Sequence, residues 1–140
     1  EAKIDAYERC IKLDPKHATA HNNLGWALHD LRKDFDGAEA MYRKAIELDP
    51  QNAEAHFNLG LPLETVRKDY DGAEAMYRKV IELDPKDACA CWNLSDLLAK
   101  QKHDIPGAIE AMEEYIRRGN PDNDGEQRLA TLRRKLEAST

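Results

Sequence analysis

The sequence predicts an all-α protein, and two observations support this. The first is an internal repeat, because residues 32–50 return as residues 67–85 with only two substitutions. The second is the spacing of apolar residues, which recur three and four positions apart and nowhere alternate as they would in a half-buried strand. A fixed repeat of this length is typical of a solenoid, in which each helical unit is stabilised by stacking on its neighbours.

The composition limits the classes of partner. The chain has 140 residues and a formal net charge of −6, and this acidic balance argues against nucleic acid as a partner. No run of 18 apolar residues occurs, so no membrane partner is predicted. The three cysteines, Cys10, Cys89 and Cys91, show no disulfide spacing. We therefore expect reduced thiols in an intracellular, cytoplasmic protein.

The first helix is predicted over residues 1–13, where Ile4, Tyr7 and Ile11 recur at helical spacing. Asp14 ends it, since a residue before proline is pushed out of the α region. No partner helix precedes it in the sequence. We interpret residues 1–15 as the second helix of a partial repeat, whose outer face is either exposed or covered by residues outside this chain.

Three helix pairs are then predicted, over residues 18–50, 53–85 and 88–118. Their first helices carry apolar stripes and their second helices follow short polar turns. In the first pair, Asp34 or Asp36 can cap the second helix, which ends near Leu48. The remaining helices are predicted over residues 18–31, 53–66, 70–83, 88–100 and 105–118.

One further helix is predicted to close the chain, over residues 124–138. The glycine and proline of Gly119-Asn120-Pro121 form a stop signal before it, and Asp122, Asn123 or Asp124 can cap it. Its basic residues are expected on a solvated outer face. The alternative is a docking patch for an acidic partner.

The repeats resemble the tetratricopeptide repeat family, whose pattern is W-x2-L-G-x2-Y, then A-x3-F, then P. The resemblance covers nearly the whole chain and is weakest in the third repeat. Each unit has 35 residues instead of 34, and the extra residue falls near Lys33, Lys68 and His103. The matching residues are His21, Leu24, Gly25, Leu28, Ala38, Tyr42 and Pro50, then His56, Leu59, Gly60, Leu63, Ala73, Tyr77 and Pro85, then Cys91, Leu94, Ser95, Leu98, Ala108 and Met112.

This resemblance implies a right-handed superhelical solenoid of stacked antiparallel helix pairs in one domain, residues 1–140. Gly25 and Ala38 are then expected where paired helices cross closely, with Tyr42 filling the space between successive repeats. It also implies that the first helices line a concave groove that binds an extended peptide. The groove positions are Asn22, Asn23, Trp26, His29, Glu54, Phe57, Asn58, Leu61, Glu64, Trp92, Asn93 and Asp96.

Asn23, Asn58 and Asn93 are spaced 35 residues apart, so they are expected to form a ladder of amides. Each amide both donates and accepts, and such a row can hold a peptide backbone. The ladder is similar to that of O-GlcNAc transferase and kinesin light chain repeats. The alternative is that these asparagines are common family sequence without a ligand. Likewise, the aromatic groove residues either face the groove or pack between repeats.

The groove is predicted to prefer a neutral or basic segment, because Glu54, Glu64 and Asp96 give it a negative charge. A terminal Glu-Glu-Val-Asp chaperone tail is not expected, since Thr19, Glu54 and Cys89 stand where that clamp has cations. The main alternative function is end-to-end self-association through open solenoid ends.

Neither a cofactor nor a metal is expected, and the segment is predicted to be non-catalytic. No phosphate loop or nucleophile motif occurs. His17 and His21 have metal-ligand spacing, but His17 lies at the predicted helix start and no third ligand is near. The segment could still be the recognition arm of a larger enzyme.

Pro62, within the helix over 53–66, is expected to bend or loosen that helix.

Overall fold

The computed structural model describes residues 1–85, 87–118 and 123–140, and all regular secondary structure in these ranges is helical. The all-α prediction is therefore confirmed for the described residues. The eight helices found there are α1 (Ala2–Leu13), α2 (Ala18–Arg32), α3 (Phe35–Leu48), α4 (Ala53–Thr65), α5 (Tyr70–Leu83), α6 (Ala88–Lys100), α7 (Ile105–Arg117) and α8 (Asn123–Ala138).

The helix ends differ from the predicted ends by at most one residue. The last helix, α8, begins at Asn123 instead of residue 124. The predicted stop signal, Gly119-Asn120-Pro121, and the candidate cap Asp122 lie outside the described residues. Within α4, the helix continues beyond Pro62 to Thr65, and the Pro62 side chain is buried. Pro62 therefore does not end the helix, although it cannot donate a backbone hydrogen bond to the Asn58 carbonyl.

The second helices of the three pairs share one N-terminal cap. Asp34, Asp69 and Asp104 each accept a hydrogen bond from the backbone N–H three residues later, at 2.9, 3.0 and 2.9 Å. The donor is a glycine each time, and a Cβ atom there would lie 2.3 Å from the capping carboxylate. The cap and the glycine therefore depend on each other. The predicted choice between Asp34 and Asp36 is resolved in favour of Asp34.

The described contacts divide the chain into two compact units, an N-terminal unit (Glu1–Lys68) and a C-terminal unit (Asp69–Thr140). In the N-terminal unit, α2 packs against α1 and α3, and α3 packs against α4. In the C-terminal unit, α6 packs against α5 and α7, and α7 packs against α8. Each helix thus buries an apolar stripe against a neighbour, as expected where a single hairpin has too little core of its own.

Helices α2 and α3 cross closely at Gly25. A Cβ atom at this position would lie 2.7 Å from Cε1 of Tyr42 and 3.1 Å from the carbonyl oxygen of Ala38. This confirms the predicted crossing of α2 and α3 at Gly25 and Ala38. The ring of Tyr42 contacts the helix with which α3 is paired, and is not only a spacer towards the next repeat.

The extra residue in each repeat has a specific backbone conformation. Lys33, Lys68 and His103 have φ angles of 54°, 57° and 55°, and they are the residues other than glycine with positive φ in the described ranges. The following N–H groups of Asp34 and Asp104 reach back to Leu28 and Leu98 at 3.0 and 2.8 Å. The inserted position is thus a left-handed residue in the turn that follows each first helix.

Replacing Lys33 with glycine is expected to stabilise the protein by about 0.5 kcal/mol. Relief of the left-handed strain is worth about 1–2 kcal/mol, and glycine loses about 0.5–1 kcal/mol of that through its greater freedom in the unfolded chain. Urea unfolding followed by circular dichroism measures the difference. Lys33→Ala is the control, because alanine keeps the Cβ atom and should give no gain.

Ion pairs also follow the 35-residue period. In each case a cation at or just after the end of a first helix pairs with a carboxylate near the start of the preceding second helix. Because these pairs are mostly exposed, each contributes little to the free energy of unfolding. A hydrogen bond from Lys102 holds the pKa of Glu74 below its usual value. The pairs are Arg32 with Glu1, Arg67 with Asp36 and Glu39, and Lys102 with Asp71 and Glu74.

Candidate functional site

The N-terminal unit contains a cleft of about 210 Å³ between α2, α3 and α4. Four of its lining residues are among the predicted groove positions. The other two, Asp30 and Tyr42, were not predicted to face the groove. The lining residues are Trp26, His29, Asp30, Tyr42, Asn58 and Leu61.

Trp26 forms the exposed aromatic wall of this cleft. It retains 46% of its accessible surface, and few other large apolar side chains in the described residues are as exposed. The ammonium group of Lys3, on α1, lies 6.0 Å from the centre of its indole ring. The ring therefore already attracts a cation, as expected from the negative face of an aromatic ring.

Asn58 is held in place by a second amide. Its Nδ2 donates to Oδ1 of Asn22 at 3.1 Å, which ties α4 to α2. Asn22, a predicted groove residue, is only 2% exposed. It therefore positions Asn58 and does not itself face the solvent. Because one N–H of Asn58 is used internally, its own Oδ1 remains to accept a hydrogen bond from a ligand.

His29 is oriented from the other side of the cleft. Its ring contacts Phe35 edge-on, with 5.0 Å between ring centres and 82° between ring planes. Phe35 is the first residue of α3, directly after the turn that contains Lys33. The inserted turn residue therefore helps to set the position of a cleft side chain.

Tyr42 lines the cleft although it is 98% buried, its exposed fraction being 2%. Burial raises the pKa of Tyr42 to about 12, and the nearby carboxylate of Glu54 adds to this shift. The hydroxyl group is therefore neutral at physiological pH.

Tyr42 is expected to make stability fall as the pH rises above 10. An unfolded tyrosine releases its proton near pH 10, and the folded protein holds this proton until about pH 12. The stabilisation is thus complete below pH 10 and is lost as the pH rises through the folded pKa. Urea unfolding of wild type and Tyr42→Phe, at pH values on either side of 10, should show a smaller decline in the variant. Equal declines would contradict this.

In the C-terminal unit, two predicted groove residues are engaged by the chain itself. Trp92 contacts Tyr115 edge-on, with 5.4 Å between ring centres. Asp96 pairs with Arg128 of α8 at 2.6 Å and with Lys100 at 3.6 Å. The expectation that the basic residues of the last helix lie outside is wrong for Arg128, whose side chain is only 18% exposed.

The other predicted groove residues differ in exposure. Glu54 is exposed, whereas Asn23, Phe57, Glu64 and Asn93 are intermediate. The structure brings Trp26, His29, Asn58 and Leu61 together in one cleft, and it places the rest of the predicted residues outside that cleft.

The described residues contain no group of three or more histidine, cysteine or acidic side chains placed to hold a metal ion. His17 instead caps α2, since its Nδ1 accepts from the backbone of Ala20 at 3.0 Å. His21 contacts the carbonyl oxygen of His17 with its own Nδ1. The spacing of His17 and His21 is therefore explained by their contacts at the N-terminus of α2.

None of the helices in the described ranges has the length and apolar content required to cross a membrane.

Cys89 and Cys91 lie on different faces of α6, as their spacing predicts. Cys89 is exposed, whereas Cys91 is buried, and burial raises the pKa of the Cys91 thiol.

Solved structures similar to this one include three of MamA. A crystal structure of MamA superimposes with a TM-score of 0.81 at 23% identity, covering 96% of this chain and 77% of that one. A second gives 0.79 at 25% identity, covering 92% and 69%. The MamA RS-1 ArsTM double mutant gives 0.80 at 20% identity, covering 96% and 74%. These likenesses show the fold.

No curated protein matches the sequence significantly. The family model described as tetratricopeptide repeat, however, matches residues 4–53, 32–88 and 67–124. These matches overlap, and together they span residues 4–124. The chain therefore belongs to the tetratricopeptide repeat family.

Proposed function

We propose that the chain is a protein-interaction scaffold that binds an extended segment of a partner along α2 and α4 of the N-terminal unit. Its family supports a role in binding proteins. The observation that carries the finer proposal is the cleft at Trp26, where an exposed aromatic ring lies beside the polar side chains of Asp30 and Asn58. Exposed aromatic anchors of this kind supply much of the energy of protein interfaces.

The backbone of the segment would be held by the asparagines. Asn58 is fixed by Asn22 and keeps an acceptor oxygen, so it can take a peptide N–H without losing its own position. Asn23 occupies the equivalent position one repeat before it, in the same unit. A fixed amide costs less entropy on binding than a mobile one, which favours this use.

The charge near the cleft favours a neutral or basic segment. Asp30 lines the cleft and Glu54 is exposed on α4. Glu54 also acts on Tyr42, since its charge helps to raise the pKa of that hydroxyl group. A partner segment ending in several carboxylates would be repelled by these groups, so the terminal Glu-Glu-Val-Asp tail is not the proposed ligand.

Binding to an array of extended peptides tests this proposal. We expect wild type to bind a subset of neutral and basic peptides, and Asn58→Ala to lose most of that binding. Gln127→Ala is the matched control, because it removes an exposed amide from α8 and should leave binding unchanged. Circular dichroism melting confirms that both variants are folded. Undiminished binding by Asn58→Ala would refute the asparagine role.

Self-association is the second candidate, and exposed Leu13 favours it. This residue, at the end of α1, is 82% exposed, whereas its equivalents Leu48 and Leu83 are intermediate. A second copy could cover it. Sedimentation velocity over a wide concentration range should then show oligomers that Leu13→Ser abolishes, and a strict monomer would exclude this candidate.

A further inference from the structure

The cleft in the N-terminal unit combines an aromatic face, an apolar wall and hydrogen-bond acceptors. Trp26 and Leu61 supply the first two, and Asp30 supplies a carboxylate. The oxygens of Asn58 and Tyr42 add neutral acceptors. A volume of about 210 Å³ is below the roughly 300–1,000 Å³ of typical small-molecule pockets. The cleft is therefore the size of a site for one side chain.

Tyr42 adds a phenol group to the cleft lining. Its side chain is largely buried, but its oxygen is not among the fully buried polar atoms of the described residues that lack a partner. The residue at this position in the family pattern is phenylalanine, which has no hydroxyl group. A ligand donor that reaches the Tyr42 oxygen would therefore gain a hydrogen bond that phenylalanine could not offer.

The chain itself indicates the charge of that ligand. The Lys3 ammonium lies 6.0 Å from the ring centre of Trp26, which shows that this aromatic face accepts a cation. A cationic ligand would take the place of Lys3 at the ring. Asp30 adds a full negative charge in the cleft lining, and Glu54 influences the Tyr42 hydroxyl group. A carboxylate ligand would meet these two acids, whereas a cation would be attracted by both.

We propose that this cleft is a pocket for an arginine side chain of the bound segment. A guanidinium group is planar and stacks on an indole ring, and it presents five N–H donors. These donors match the acceptors of Asp30, Asn58 and Tyr42. An ammonium group offers only three donors and does not stack. The proposal rests on the proposed function, since it names the side chain by which a partner segment is anchored.

Fluorescence of Trp26 tests the pocket directly. The chain has two tryptophans, so Trp92→Phe leaves Trp26 as the single indole. The probes are N-acetyl-arginine amide, N-acetyl-lysine amide and the uncharged isostere N-acetyl-citrulline amide. We expect saturable binding of the arginine amide, with citrulline about tenfold weaker because hydrogen bonds to charged groups are the stronger ones. The lysine amide should fall between them. Equal binding of arginine and citrulline overturns the proposal.

Two variants locate the binding in the cleft. Asp30→Asn should weaken the arginine amide about tenfold, and Tyr42→Phe should weaken it by a few-fold. Tyr70→Phe is the matched control, because it removes a hydroxyl group where the preceding repeat already has Phe35, and it should have no effect. Melting curves verify that every variant is folded. Unchanged affinity in Asp30→Asn places the binding elsewhere and also overturns the proposal.

The peptide array separates failure of the pocket from failure of the proposed function. Bound peptides are synthesised again with each arginine replaced by citrulline. Loss of binding supports the pocket. Unchanged binding that still requires Asn58 overturns the arginine pocket and leaves the scaffold function standing. Saturable binding of the arginine amide with no bound peptide overturns the scaffold function instead.

Discussion

Replacing Gly25 with leucine is expected to destabilise the protein by about 1–3 kcal/mol, the usual cost of overpacking a filled interior. Even a Cβ atom at this position would lie 2.7 and 2.8 Å from two ring carbons of Tyr42 and 3.1 Å from the Ala38 carbonyl oxygen. The neighbours cannot move freely, because Ala38 is fully buried and its carbonyl belongs to the α3 backbone. The midpoint of urea unfolding measures the loss.

Graded variants identify the contact responsible. Gly25→Ala should cost less than Gly25→Leu, because it adds only the Cβ atom. Combining Gly25→Ala with Tyr42→Phe should restore nothing, since the crowded atoms are ring carbons that phenylalanine retains. Combining it with Tyr42→Leu should recover part of the loss relative to Tyr42→Leu alone. An unfolding midpoint for Gly25→Leu equal to that of wild type would show that α2 and α3 do not cross at this point.

The same crossing shows why much of this fold could be predicted. Glycine, alanine and tyrosine recur at fixed positions, and each has one geometric role that follows from its size. The caps were predictable for the same reason, since Asp34 stands directly before the apolar stripe of α3 and offers a short acceptor. Local rules therefore located the helices and a close contact between two of them, α2 and α3.

Contacts made by long side chains were not predicted. Arg128 reaches from α8 to Asp96 on α6, and neither residue carries a local signal for the other. The periodic ion pairs did carry a signal, because the same 35-residue spacing that revealed the repeat also relates Arg67 to Lys102. Applying the repeat to charges, as well as to apolar residues, would have found them.

Only part of the candidate cleft was predicted, because one of its residues lies on a second helix. The groove positions were assigned from the first helices alone, so Tyr42 on the second helix was interpreted only as packing. Its ring does pack against Gly25, while its hydroxyl group belongs to the cleft lining. A tyrosine where the family pattern has phenylalanine is a signal of this double role, since the added hydroxyl group favours a polar surrounding.

Truncating Leu132 to alanine is expected to cost about 2–5 kcal/mol, the range for leucine in a packed core. Leu132 lies on α8, has no exposed surface, and is accompanied by Leu129 at 6% exposure. Because α8 packs on α7 and the rest of its surface is largely polar, these two leucines carry most of its attachment. Thermal and urea unfolding measure the change. Leu136→Ala is the control, because Leu136 is only partly buried and should cost less.

Leu132→Ala should also weaken the ion pair between Arg128 and Asp96, in addition to lowering the stability of the fold. Arg128 lies one helical turn from Leu132 and pairs with Asp96 on α6, so a loosened α8 releases that carboxylate. Amide hydrogen exchange should therefore become faster in α8, while α2 and α3 of the N-terminal unit keep their wild-type protection. Faster exchange throughout the chain would instead show that α8 supports the whole protein cooperatively.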